Sequence, residues 1–95
     1  MSLEDIAAGM RPALARNAFS GSLKFDCGDA GVVILADGTA TTTNRDADCT
    51  ISISKDNLTK LLSGNLNPML AVATGKLKIA GNAAVAMGLQ KLLSS

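Results

Sequence analysis

Apolar positions in this chain switch between a spacing of three or four residues and a spacing of two, and the switches mark out its elements. Leu3, Ile6, Ala7, Met10, Ala13 and Leu14 lay one stripe along a first helix, with Ser2 placed to cap it and Asp5 three residues later as a capping-box partner. Pro12 falls inside that pattern, so the helix either kinks there or is two shorter pieces. The period then drops to two: Leu23, Phe25 and Cys27 alternate with Ser22, Lys24 and Asp26, which predicts a strand with one dry face. A turn over 28–31 leads to the unbroken apolar run 32–36, a strand covered on both faces. Asp37-Gly38 is a hairpin signal of the type I′ class, and the threonine-rich stretch 39–44 predicts a polar edge strand.

The second half carries more punctuation. Cys49, Ile51 and Ile53 alternate with Thr50, Ser52 and Ser54 in a fourth strand. Ser54 caps a helix whose buried side is Leu58, Leu61 and Leu62 and which Gly64 stops. Asn67 caps a short apolar helix over 68–74, with Pro68 at the first helical position, where the missing donor costs nothing. Gly75 releases the chain into a fifth strand, in which Lys76 and Lys78 take the wet face and Leu77 and Ile79 the dry one. Gly81 and Asn82 start the last helix, with Val85, Ala86, Leu89, Leu92 and Leu93 on one arc, Lys91 facing away and Gln90 at the margin. Met87 falls opposite that arc, an odd place for a large apolar side chain, and is read first as a surface residue, second as one touching a partner or the mouth of a cavity. This order of elements predicts an α+β domain over 1–95: a five-stranded, mostly antiparallel sheet with helices covering one face.

The stretch GNLNPMLAVATGKLKIAGN at 64–82 resembles the signature of the sterol carrier protein 2 family of lipid carriers, and DADCTISIS at 46–54 and NAAVAMGLQKLL at 82–93 extend the likeness. The resemblance implies a fold in which the first and fourth strands are adjacent and parallel. It also implies an apolar tunnel that accepts a fatty acyl chain, acyl-CoA or a sterol-like molecule, with Gln90 beside it. Many relatives have an Ala-Phe step before Gly-Lys-Leu-Lys-Ile, where this chain has Ala71-Val72-Ala73-Thr74, so an aromatic wall is missing. Expected ligand-contacting residues are Leu58, Leu62, Met69, Leu70, Val72, Ile79, Leu89, Gln90 and Leu93. Each except Gln90 is equally an ordinary core residue.

Composition narrows the classes. Nine basic against eight acidic side chains leave a net charge of +1, and two Phe with no Tyr or Trp supply no stacking platform, so nucleic acid is not an expected partner. The apolar fraction of 47% rests on Ala, Val, Ile, Leu and Met, which suits a smooth, adaptable interior. Cys27 and Cys49 stand at apolar positions separated by 21 residues, which predicts two buried thiols. With no His and no metal-ligand cluster in the sequence, a non-catalytic carrier without cofactor or metal is expected. The absence of a signal-like amino terminus or a span-length apolar stretch points to the cytoplasm. Transient membrane contact is assigned, if anywhere, to the first helix. The rival reading is a ligand-free interaction or dimerisation module on the same fold; a homodimer is compatible with both.

Overall fold

The computed structural model describes residues 2–16 and 21–94, the side chains of 89–94 excepted. Its elements are α1 (Leu3–Arg16), β1 (Leu23–Asp26), a single 3-10 turn (Gly28–Ala30), β2 (Val32–Ala36), β3 (Thr39–Thr41), β4 (Cys49–Ile53), α2 (Lys55–Leu62), α3 (Pro68–Ala73), β5 (Leu77–Gly81) and α4 (Ala83–Ser94). The helix around Pro12 is one continuous element of 14 residues. Its start is a reciprocal capping box: the Asp5 amide donates to Ser2 Oγ (3.1 Å) and the Ser2 amide donates to the Asp5 carboxylate (3.2 Å). Hydrogen bonding from Ser2 to the carboxylate, its backbone amide first and its side chain second, holds the Asp5 carboxyl below its ordinary value.

The five strands form one sheet in the order β3-β2-β1-β4-β5, with β1 and β4 parallel and every other pair antiparallel. The fold class read from the sequence is therefore the observed one. The hairpin between β2 and β3 turns on Asp37 and Gly38, both with positive φ (56° and 76°), as a type I′ turn demands. β3 is an edge strand, but shorter than the 39–44 expected. The parallel pair is locked at its start by a two-way exchange: the Ser22 amide donates to Asp48 Oδ2 (3.1 Å) and the Asp48 amide to Ser22 Oγ (2.9 Å).

Register puts Leu35, Leu23 and Cys49 in one cross-strand row, and Val33, Phe25, Ile51 and Ile79 in the next. These rows form the dry face, which α1, α2, α3 and α4 cover through Leu3, Ile6, Met10, Leu14, Leu58, Leu61, Ala71 and Val85. The opposite face presents Lys24, Asp26, Thr50, Ser52 and Lys78, with Ile34 buried among them, so β2 is covered on both sides as its apolar run predicts. One expectation is corrected: Cys27 lies just past the end of β1 and is half-buried, whereas Cys49 is buried as expected. Both are free thiols, and burial raises the pKa of each, with Asp26 adding to the effect at Cys27.

Candidate apolar binding site

Helical cover runs out toward the β5 edge. Along the row Val33, Phe25, Ile51 and Ile79, the first three are 0%, 0% and 2% exposed, whereas Ile79 is 43% exposed. Its side faces the helices by register, so this exposure reflects missing cover rather than the wrong face. α1 lies over β2 and β3, leaving the short α3 and the start of α4 to cover β4 and β5.

The gap they leave is a hollow of about 170 Å³. Ile51, Leu77 and Ile79 make its floor, Pro68, Met69 and Val72 of α3 one wall, and Ala83, Ala86 and Met87 of α4 the other, with Leu61 at the back. Every one of these side chains is apolar. A second, larger hollow of about 330 Å³ opens wide on the other sheet face, lined by Asp26, Cys27, Ser52, Lys76 and Lys78 among others. That basin is polar and shallow, so the smaller, apolar one is the candidate site for a hydrocarbon.

Local sequence fixes both walls. The Asn67 side chain accepts from the amides of Met69 (2.9 Å) and Leu70 (3.4 Å), starting α3 with Pro68 at its first position. α3 ends in a Schellman motif: the Lys76 amide donates to the Ala71 carbonyl (2.9 Å) and the Gly75 amide to that of Val72 (3.2 Å). On the other side, Asn82 Oδ1 accepts from the Ala84 amide (3.0 Å) and sets the direction in which α4 leaves β5.

Of the residues expected from sequence to touch a ligand, the structure brings Met69, Val72 and Ile79 together around this hollow. Leu58 is fully buried in the core and Leu62 is packed against it; neither lines the hollow. Leu70 is 61% exposed on another side of α3. Leu89, Gln90 and Leu93 belong to α4 but lie outside the described side chains. The sequence reading omitted Ile51, Leu61, Pro68, Leu77, Ala83, Ala86 and Met87. The signal for Met87 was present in its position off the core arc: it is exposed, as first read, and stands at the rim.

Known proteins resemble this arrangement. The profile of the SCP-2 sterol transfer family matches residues 8–94. Sterol carrier protein 2 of Rattus norvegicus is 49% identical over 49 residues, which is 52% of this chain and 9% of that protein. Hydroxysteroid dehydrogenase-like protein 2 of Bos taurus is 48% identical over 48 residues, which is 50% of this chain and 12% of that protein. The matched stretch is thus a small part of each of these curated relatives. Among solved structures, the sterol carrier protein domain 2 of Helicoverpa armigera superposes with a TM-score of 0.78 at 25% identity, covering 95% of this chain and 84% of that one. Sterol carrier protein 2 of Aedes aegypti in complex with palmitate also reaches a TM-score of 0.78, at 15% identity, covering 94% of this chain and 91% of that one, a likeness of fold.

Proposed function

The chain belongs to the SCP-2 sterol transfer family, and on that footing we propose that residues 1–95 act as a single non-catalytic carrier domain whose hollow between β5, α3 and α4 receives the hydrocarbon part of a fatty acyl chain, acyl-CoA or sterol-like ligand. The observation that carries this reading is Ile79, a core-face side chain left 43% exposed above an all-apolar hollow. The neighbour solved with palmitate, a fatty acid, lends its ligand class to the proposal. Two free cysteines fit a reducing compartment such as the cytoplasm. No described helix is long and apolar enough to cross a membrane.

Size decides how the ligand enters. Pockets that enclose a whole small ligand run from about 300 to 1,000 Å³, so a hollow of about 170 Å³ holds part of an acyl chain until its walls part. α3 is the wall that can yield: Ala71 is its one buried residue, while its ends are set by exposed caps. Each methylene withdrawn from water contributes ~0.8 kcal/mol, so ten supply roughly 8 kcal/mol before the costs of ordering and opening. That roughly equals the free energy of micromolar binding before those costs, so a chain longer than ten methylenes is needed to offset them where specific polar contacts are few.

Met69, Val72 and Ile79 are the proposed contacts at the mouth. Leu58, Leu62 and Leu70 join them if α3 swings away from the core. Position 90 follows Met87 by three residues and Ala86 by four, continuing the row that lines the hollow, and position 93 follows 90 by three. This supports retaining Gln90 and Leu93, with Gln90 as the polar partner for a ligand hydroxyl or carboxyl. Leu89 is retained as a proposed contact from the sequence pattern alone.

A fluorescent fatty-acid displacement assay, paired with mass spectrometry of lipids carried through purification, tests the reading. Saturable displacement by acyl chains, abolished by Val72→Trp in a variant that keeps its circular dichroism, is the expected result. No displacement at any chain length and no bound lipid would favour an interaction module instead.

A further inference from the structure

The two edges of the sheet are treated differently. At the β3 edge, Arg11 of α1 donates through Nε to the Ala40 carbonyl (2.9 Å), and Glu4 accepts from the Thr42 hydroxyl (3.0 Å), so side chains of the first helix occupy that border. β5 forms the other edge, and Lys78, Ile79, Ala80 and Gly81 are all exposed along it. An open edge is a template for another strand.

Register says which groups this edge offers. The Asn82 amide donates to the Asp48 carbonyl, one step beyond the opposed pair Gly81 and Cys49. Bonded and non-bonded pairs alternate along an antiparallel ladder, so Ala80 and Lys78 also direct their main chain at β4, whereas Leu77, Ile79 and Gly81 direct theirs outward. These three positions match themselves under a two-fold axis through Ile79. Ile79 then meets Ile79, and Leu77 meets Gly81, for about six main-chain hydrogen bonds. Lysines on an edge usually discourage such pairing. Here the register sets Lys78 opposite Ala80 rather than another lysine, and sets Lys76 opposite Asn82, with the acidic Asp48 one strand further on, roughly 10 Å away across two strand spacings. Moving the axis to Leu77 would oppose Lys76 to Lys78 twice, and moving it to Gly81 would run the ladder into α4.

We propose that two copies of this chain pair antiparallel through β5 and that the pairing joins their two hollows into one cavity. For what that cavity holds, the proposal rests on the carrier reading. On the dry face, the row Val33, Phe25, Ile51 and Ile79 continues across the axis into Ile79 of the second copy, which supplies the cover that a 43% exposed Ile79 lacks. α3 precedes β5 and α4 follows it, so the antiparallel axis sets α3 of one copy beside α4 of the other. Met69 and Val72, 72% and 47% exposed, then meet Met87 of the second copy, 69% exposed. With Ile79 and Leu70 these are all the large exposed apolar side chains among the described residues, and all but Leu70 line the hollow. What one copy leaves uncovered is thus what the second covers. Two hollows of about 170 Å³ joined in this way reach the range of about 300 to 1,000 Å³ that encloses a whole small ligand.

Sedimentation velocity of the whole chain over a concentration series, with and without a fluorescent fatty acid, tests the proposal. Expected is a reversible monomer–dimer equilibrium that the fatty acid draws toward the dimer. Ala80→Glu puts a carboxylate opposite each Lys78 and tightens the dimer by about 2- to 30-fold, the range for two symmetry-related cross-strand charge pairs; Ala80→Lys weakens it by a similar factor. Ala80 lies on the wet face and lines no part of the hollow, so neither change alters the ligand wall. Thr41→Lys, at the β3 edge, leaves the equilibrium unchanged. A monomer at every concentration for both the wild type and Ala80→Glu, or a dimer indifferent to the charge at position 80, overturns the pairing. Fatty-acid titration of the same samples separates the two ideas. Wild-type affinity in a monomeric Ala80→Lys variant overturns the joined cavity and keeps the carrier reading; a charge-dependent dimer that binds no fatty acid supports the pairing and removes the carrier reading.

Discussion

Gly81 backs onto the main-chain carbonyl of Asp48 so closely that a β-carbon there would stand 2.5 Å from the oxygen, at a φ of +95°. The same carbonyl accepts from the Asn82 amide at 2.9 Å, so β5 hands over to α4 at a point pinned to the start of β4. This contact sets the angle at which one wall of the hollow leaves its floor. Gly81→Ala combines left-handed strain with a clash against backbone, for a loss of roughly 2–5 kcal/mol. Gly75→Ala, also at positive φ (76°) but with nothing within 4 Å, incurs the strain alone, about 1–2 kcal/mol. Urea midpoints of the two variants at unchanged slope measure the difference; equal losses would show that the Asp48 carbonyl moves aside freely.

Much of this fold is legible in the chain because its turn residues are diagnostic. Ser2 with Asp5, Asp37-Gly38, Asn67-Pro68 and Gly75 each allow one local geometry, and each adopts it. The adjacency of β1 and β4 is of another kind: periodicity assigns both strands but says nothing of their pairing, so the parallel register came from the family resemblance. The site was half legible. Met69, Val72 and Ile79 stood out through their turns and alternation, whereas Ile51, Leu61 and Leu77 carry the same pattern as any core residue. Whether a void persists above them depends on how far α3 and α4 reach over the edge, a three-dimensional quantity. Cys27 was misplaced because alternation does not announce where β1 stops.

Core and rim residues of similar chemistry should separate sharply in stability. Leu58 is 0% exposed, and Leu58→Ala is expected to cost about 2–5 kcal/mol by lost transfer energy and the cavity left behind. Val72→Ala, at a half-exposed rim position, should stay within about 0.5–1 kcal/mol of the parent while weakening fatty-acid binding. Equilibrium unfolding and displacement titration on the two variants check both halves. A large stability loss for Val72→Ala would place it in the packed interior.

The capping box at α1 gives an acid-side signature. Asp5 titrates below 3.8 in the folded chain because the Ser2 amide, then the Ser2 hydroxyl interaction, favour the carboxylate. Since the folded value is depressed, its contribution to stability is complete above the unfolded value near 3.8 and is lost as pH falls through the folded one. Asp5→Asn should therefore be less stable than the parent at neutral pH, with the gap closing in strong acid. The carboxylate is solvent-exposed, so the gap should also shrink with salt. A difference that persists unchanged to the lowest pH would assign the effect to the amide's geometry rather than to charge.

If loading parts α3 from β5, as proposed, the anchoring of that helix makes the expected hierarchy of motion specific. The helix is six residues long and holds the core through Ala71, whereas β1 places Leu23 and Phe25 at 0% exposure between two hydrogen-bonded neighbours. Local opening free energy follows buried contact, so amides of 71–75 should exchange hydrogen well before those of 23–26, by a mechanism independent of global unfolding. Bound acyl chain adds apolar contacts to Met69 and Val72 and should slow exchange in α3 selectively, in proportion to RT ln(1 + [L]/Kd). Ala71→Ser, which puts a hydroxyl into the single buried contact, should speed α3 exchange in the free protein and leave β1 protection nearly unchanged. If α3 and β1 instead exchange together and respond equally to ligand, the wall does not open alone, and entry must proceed through the existing mouth between Met69 and Met87.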